Sequence, residues 1–229
     1  MASAGEEIYN PVQNDWIVFR ETSQDTSGQL LSAELVVSPC GGNPLHVHPN
    51  QEEHFKVLSG ILDVQVGEEH RSLGEGEEAT VPPGTPHRWW NAADQKEARV
   101  LVELRPALNT EIGFETIYGL ARDGKTNKNG VPNLLQLAVM LNSLHKGELY
   151  LAKPPIPVQR ALFRLLSPVG KLLGYKDHYP KYSEAETPSA EGAGPPSTTS
   201  VMARGVALVV LLLMVTLFLL GWAHRLSKD

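Results

Sequence analysis

The chain has 229 residues, 41 % of them hydrophobic, so it is long enough for one domain with a real core and for further segments. Its net charge of -6, without a long basic run, argues against a protein that works mainly by binding nucleic-acid phosphates. Its single cysteine, Cys40, excludes an intramolecular disulfide, and we expect this side chain to be buried or half-buried.

Residues 15–105 have the periodicity of short β-strands. Hydrophobic and polar side chains alternate in QLLSAELVV and in RVLVELRP, and a Ser-Gly turn separates EHFKVL from ILDVQV. The run Pro82-Pro83-Gly84 ends the strand that begins in EATV. Short strands with frequent glycine and proline, and without a helical period, predict a mainly β domain over residues 1–110, an antiparallel sandwich or barrel.

After the strands the hydrophobic spacing becomes helical, and we expect a helical extension over residues 111–182. Three helices are predicted, over 111–124, 131–147 and 157–174, the last bent or broken at Pro168. The third helix would pack against the barrel and present a solvated basic face, or alternatively lie on an anionic membrane surface. The basic residues of that face are Arg160, Arg164 and Lys171.

The C-terminal part of the chain predicts a membrane anchor. Residues 183–205 have the composition of a flexible linker, and residues 206–223, VALVVLLLMVTLFLLGWA, form an uncharged apolar run. As a transmembrane helix this run would be about 27 Å long, close to the thickness of a thin bilayer. With a short tail at 224–229 and no N-terminal segment typical of a secretory signal, we expect a single-pass, tail-anchored protein in contact with the lipid bilayer. Its folded domain would face the cytosol. The sequence does not indicate which organelle membrane would carry the anchor.

Three histidines and two acids are concentrated in HVHPNQEEH, residues 46–54. In an extended chain His46 and His48 point to the same side, because side chains alternate between the two faces of a strand. After a short turn, the same alternation groups Glu53 with the apolar Phe55 on an inner face. The residues expected to face solvent are Glu52 and His54.

A second candidate segment is GEEATVPPGTPHRWWN, residues 76–91, in which a new strand begins at His87 after a proline-rich turn. Alternation puts Trp89 on the same face as His87, where it would line a pocket or fill the core. A buried, charged glutamate beside three imidazoles is costly, and a divalent cation would satisfy all four groups. The candidate metal ligands are therefore His46, His48, Glu53 and His87, with Phe55 and Trp89 as pocket residues.

These two segments resemble the two sequence motifs of the cupin superfamily. Residues 46–60 read H-x-H-x4-E-x6-G and residues 76–91 read G-x5-P-x-G-x2-H-x3-N, with fifteen residues between them. The first motif departs from the family at its leading glycine, where this chain has Cys40. The resemblance implies a double-stranded β-helix of the jelly-roll type with one metal inside the barrel. It also implies that two barrels pair as a homodimer, for which exposed edge strands are suited.

Three imidazoles and one carboxylate suit one divalent transition metal, namely Fe, Mn, Ni, Zn or Co. The resemblance favours a metal-dependent enzyme acting on a small organic substrate, with dioxygenase chemistry first and isomerase, cyclase or decarboxylase chemistry next. Two alternatives stay open: a non-catalytic cupin that binds a small molecule, and a membrane-tethered scaffold whose helices recruit partners. The sequence offers no helix-turn-helix candidate, and we expect no nucleic-acid partner. It assigns neither the substrate nor the native metal, and it names no catalytic residue outside the ligands.

Overall fold

The computed structural model describes residues 2–93, 96–143 and 149–183, and β-strands dominate its first half. Within that part of the chain the strands, in order, are β1 (Glu7–Asn10), β2 (Asp15–Glu21), β3 (Leu31–Val37), β4 (His46–Val47), β5 (Glu52–Ser59), β6 (Leu62–Val66), β7 (Glu69–Leu73), β8 (Glu78–Val81), β9 (His87–Trp90), β10 (Ala98–Arg105) and β11 (Tyr150–Leu151).

The strands form two antiparallel sheets. One has six strands in the order β1-β2-β3-β10-β5-β8, and the other has five in the order β11-β4-β9-β6-β7. Every second side chain of the central strands β5 and β10 is buried, and their register sets Phe55 opposite Val102 and Val57 opposite Val100. These inward side chains form the apolar core. The prediction of an antiparallel, mainly β domain followed by helices is confirmed.

Three helices follow the strands: α1 (Thr110–Arg122), α2 (Leu134–Ser143) and α3 (Ile156–Leu172). The third continues through Pro168, so the predicted break at this residue is absent. It packs on α2 and not mainly on the barrel, since a side chain at Gly170 would lie 2.6 Å from Val139 of α2. The basic residues of α3 are exposed to solvent, as expected; they are Arg160, Arg164 and Lys171.

The helical extension also contains a strand that the sequence did not predict. The two residues of β11, Tyr150 and Leu151, pair antiparallel with β4, and Leu151 lies opposite His46. A strand of two residues has no periodicity to detect. Because of this pairing, part of the segment predicted as an extension completes the second sheet of the barrel.

Two further differences concern the N-terminal half. Strand β1 begins before residues 15–105, the range predicted to contain the strands. Strand β7 lies within that range but lacks the alternation of a half-buried strand, because four of its five side chains are exposed. Cys40 is exposed, which contradicts its predicted burial. Its φ of 62° lies in the left-handed region that favours glycine, and it stands where the family motif has its leading glycine.

The predicted membrane localisation is contradicted. None of the helices in the described ranges is long and apolar enough to cross a membrane. The predicted linker 183–205, apart from its first residue, the predicted transmembrane helix 206–223 and the tail 224–229 lie outside the described residues. The bilayer is therefore not retained as a partner of this protein.

A buried acid joins the first sheet to α1. Asp15, at the start of β2, accepts a hydrogen bond from the hydroxyl of Tyr118 on α1, and both side chains are buried. Burial raises the pKa of Asp15 to about 7, and the hydrogen bond from Tyr118 offsets only part of that effect. The unfolded chain loses this proton near pH 4, but the folded chain keeps it until about pH 7. The contribution of Asp15 to stability is therefore lost as the pH rises across this range.

We expect the Asp15→Asn variant to remove this pH dependence, because an amide cannot ionise. When the pH is raised from 5 to 8, the free energy of unfolding should fall by about 2–3 kcal/mol more for wild type than for the variant. Urea unfolding at several pH values measures this difference. The matched control is Glu21→Gln, which changes an exposed carboxylate of the same strand and should show no such shift. Parallel pH profiles for Asp15→Asn and wild type would contradict the assignment.

Candidate metal centre

The four predicted ligands come from three strands and one turn. His46 and His87 are direct cross-strand partners, since β4 pairs with β9 at these two residues. His48 follows β4, and Glu53 is the second residue of β5. All four side chains are buried, with exposed fractions between 1 % and 7 %. Glu53 is buried and its neighbour Glu52 is exposed, as the alternation along the strand predicted.

The donor atoms of these four residues converge on one point. His87 Nε2 lies 2.6 Å from Glu53 Oε2, His46 Nε2 lies 3.1 Å from His48 Nε2, and His48 Nε2 lies 3.7 Å from Glu53 Oε2. One ligand atom from each residue can be chosen so that all lie within 4.8 Å of one another. The structure thus brings together the whole set that the sequence predicted.

Backbone carbonyls fix the orientation of two of the imidazoles. His46 Nδ1 lies 2.9 Å from the Pro44 oxygen, and His87 Nδ1 lies 2.9 Å from the Thr85 oxygen. A carbonyl oxygen can only accept, so each Nδ1 carries the proton and donates it. The Nε2 atom of each ring is thereby directed to the centre of the cluster. A second partner of this kind is typical of histidines that ligate metals.

The third imidazole is oriented by Gln51, which the sequence analysis did not single out. The amide nitrogen of Gln51 lies 2.9 Å from the Pro106 oxygen, 3.1 Å from the Ala107 oxygen and 2.7 Å from the Thr110 hydroxyl oxygen, and its two N–H groups are shared among these three acceptors. The amide oxygen must then face His48 Nδ1, which is 3.2 Å away and donates to it. In the sequence, only its position between His48 and Glu53 indicated this role, because the acceptors of its amide nitrogen are more than fifty residues away.

The charges of the cluster are strongly coupled. Burial acts to raise the pKa of Glu53, but the hydrogen bond and charge of His87 and the charges of the other two histidines outweigh it and lower that pKa to about 2. Burial lowers the pKa of His87, but the contact with Glu53 reverses this effect and leaves the pKa raised. For His46, burial and the two neighbouring histidines hold the pKa well below its usual range. Glu53 is therefore a carboxylate, and His46 is neutral, at neutral pH.

The contact between His46 and His48 is the observation that fits a metal. Both rings donate through Nδ1, so in their neutral forms both Nε2 atoms are lone-pair acceptors, and these atoms face each other at 3.1 Å. Two such lone pairs repel each other unless a proton or a cation lies between them, and burial disfavours a second proton on His46. A cation between the two nitrogen atoms and the carboxylate of Glu53 would satisfy all of them.

The cluster lies beside a cavity of about 110 Å³. His46, His48 and Glu53 line it, and Trp89 does so too, as predicted. The side chain of Phe55 is buried in the apolar core and is not part of the cavity lining, because two residues along a strand carry it about 7 Å beyond Glu53. The helical extension supplies a large part of the wall, with Phe114, Ile117, Leu137, Leu149 and Leu151.

Comparison with known proteins agrees with this geometry. Residues 33–103, which contain all four candidate ligands, match the family described as Cupin domain. This match identifies residues 33–103 as a cupin domain. Among solved structures, an RmlC-like cupin from Shewanella frigidimarina matches 49 % of this chain and 94 % of its own, with 15 % identity and a TM-score of 0.40.

Several similar curated proteins from fungi are named as oxidoreductases. An oxidoreductase of Arthrobotrys oligospora is 32 % identical over 153 residues, which are 61 % of this chain and 59 % of that protein. The probable oxidoreductase virH of Hypocrea virens is 28 % identical over 199 residues, 79 % of this chain and 87 % of virH. The match thus spans little more than half the length of the first of these relatives.

We expect the Gln51→Leu variant to release the ring of His48 while leaving that of His46 unchanged. In the chelator-treated wild-type protein, long-range proton–nitrogen NMR should show both rings with the proton on Nδ1. In the variant the His48 signals should move toward a mixture of tautomers, because the acceptor for its Nδ1 proton is gone. Affinity for Co²⁺ should fall about 10- to 100-fold. Unchanged His48 signals would contradict the role of Gln51, and Gln29→Leu, at an exposed glutamine, is the control.

Proposed function

We propose that this protein is a metal-dependent cupin oxidoreductase that acts on a small organic substrate. One divalent transition metal, chosen from Fe, Mn, Ni, Zn and Co, would be held by His46, His48, Glu53 and His87. The observation that carries the proposal is the convergence of three imidazole Nε2 atoms and one carboxylate oxygen at the edge of a cavity. The names of the fungal relatives support oxidation as the type of reaction.

Each protein group has a defined part in this proposal. Glu53 is ionised and supplies the negative charge that a divalent cation requires. The rings of His46 and His87 are held by backbone acceptors, and that of His48 is held by Gln51. Because the rings are oriented before a metal binds, binding would cost them little rotational freedom. These four side chains would hold the ion beside the cavity, which would admit a substrate. When bound, the metal supplies Lewis-acid or redox chemistry to a substrate oxygen, of the kind found in dioxygenases.

The first test is the metal content of the full-length chain, purified, loaded with Fe²⁺, Mn²⁺, Zn²⁺, Ni²⁺ or Co²⁺ without oxygen, and desalted. We expect about one tightly held ion per chain for wild type and almost none for the His46→Ala/His48→Ala variant. The matched control is His54→Ala, since His54 lies on the outer face of β5 and contacts Glu78 at 3.3 Å. A folded wild-type protein that holds no metal, or a double variant that holds as much as wild type, would overturn the proposal.

The second test addresses oxidation. If iron is the tightly held ion, nitric oxide should bind to the Fe²⁺-loaded protein as a substitute for O₂ and give a high-spin iron–nitrosyl EPR signal. The same signal should be absent from the His46→Ala/His48→Ala variant. A loaded protein that holds iron but never binds nitric oxide would favour the non-catalytic alternative, a cupin that binds a small molecule.

The homodimer implied by the resemblance stays a prediction.

A further inference from the structure

The cavity beside the candidate ligands has two chemically different ends. His46, His48 and Glu53 line one end, where the nitrogen and oxygen donors converge. The remaining wall is mainly apolar and comes from two parts of the chain. The first sheet contributes Ile17, Leu35, Val102 and Leu104, and the helical extension contributes the five apolar residues named above.

The wall contains few polar side chains, namely Gln13, Asn43 and Tyr118, and two of them have hydrogen-bond partners within the protein. The hydroxyl of Tyr118 donates to Asp15, and the side-chain oxygen of Asn43 accepts from the Trp89 backbone at 2.9 Å. Among the described residues that line the cavity, none is lysine or arginine. A phosphate or a second carboxylate on a ligand would therefore be desolvated here without a cationic partner, which is costly.

The size of the cavity limits the apolar part of a ligand. Its volume of about 110 Å³ is somewhat smaller than a dry protein cavity of roughly 150 Å³ that binds one benzene molecule. A single small ring or a short alkyl chain fits this scale. Several wall residues of the extension are only half-buried, among them Phe114, Ile117 and Leu151, so part of each side chain remains exposed.

We propose that the substrate is a molecule with one oxygen-donor head and an uncharged apolar body of about one ring, and that the helical extension determines which body is accepted. This proposal rests on the proposed metal-dependent function, because the oxygen head would bind at the donor end of the cavity. We assign specificity to Ile117 of α1, since its side chain lines the cavity and packs against the apolar core.

The test compares hydroxamates that share one metal-binding head. The full-length chain loaded with Co²⁺ is titrated with acetohydroxamate, benzohydroxamate and 4-carboxybenzohydroxamate, and the visible cobalt absorption is followed. Benzohydroxamate should bind about thirty-fold or more tightly than acetohydroxamate, because its ring buries several additional carbon atoms. The carboxylate of the third compound should abolish this gain.

Two variants show whether the extension is responsible. Ile117→Trp fills the cavity, and it should remove the advantage of benzohydroxamate while leaving acetohydroxamate binding unchanged. Leu172→Trp changes a residue at the end of α3 that is 87 % exposed, and it should alter neither affinity. Metal content and circular dichroism of both variants should match wild type.

The apolar wall is also tested without metal, by saturable binding of toluene to the chelator-treated chain in NMR titrations. Toluene should bind to wild type and to Leu172→Trp but not to Ile117→Trp. Cobalt binding with equal affinities for the three hydroxamates would overturn the substrate class and leave the metal-dependent function intact. Toluene binding in a chain that takes up no cobalt would refute that function but support the apolar specificity. Failure of both cobalt and toluene to bind would overturn both proposals.

Discussion

The fixed orientation of three buried imidazoles is the constraint on which the site depends. His46 and His87 begin their strands, and each donates from Nδ1 to the carbonyl two residues earlier. The same local geometry is thus used twice, once in each sequence motif. It requires a turn before the strand, which the prolines Pro44 and Pro86 favour because they fix the backbone just ahead of each histidine. Ring orientation is therefore encoded locally for two of the three histidines.

The third imidazole depends on a distant part of the chain. Gln51 links His48 to the carbonyls of Pro106 and Ala107 and to Thr110, the first residue of α1. On the other side of the site, β11 pairs with the strand that carries His46. The helical extension is therefore attached to the candidate ligands at two points, and a scaffold that merely recruits partners would require neither attachment.

What could be predicted from the sequence was whatever depends on local periodicity. Alternation identified the inward side chains of β5 and β9, including Glu53 and Trp89, because a half-buried strand has a period of two. The same rule placed Phe55 on the correct face but not at the cavity, since the face of a strand says nothing about where along it a cavity ends. The exposed Cys40 shows a related limit, because its left-handed backbone follows from the turn and not from its own preference.

The remaining features depend on contacts between distant residues, which one sequence does not display. The acceptors of the Gln51 amide nitrogen are 55 to 59 residues away in the chain, and Asp15 and Tyr118 are separated by 103 residues. In each case a polar side chain can be buried because a distant part of the chain supplies its hydrogen-bond partner. In the sequence alone, such a residue cannot be distinguished from a polar residue at the surface. Functional positioning groups are therefore harder to predict here than the ligands that they serve.

The donor end of the cavity contains ionisable groups, whereas the rest of its wall is mainly apolar. At one end the carboxylate of Glu53 is matched by His87, whose pKa is raised by that contact. Behind the wall at the Tyr118 side, burial raises the pKa of Asp15 to about 7, so this carboxyl is largely protonated below that pH. A divalent ion at the first end would add positive charge only where donor atoms converge. Below pH 7 the rest of the cavity would stay neutral, and a neutral wall in a low-dielectric interior favours an apolar ligand over an ionic one because it offers no counter-charge for the desolvated ion.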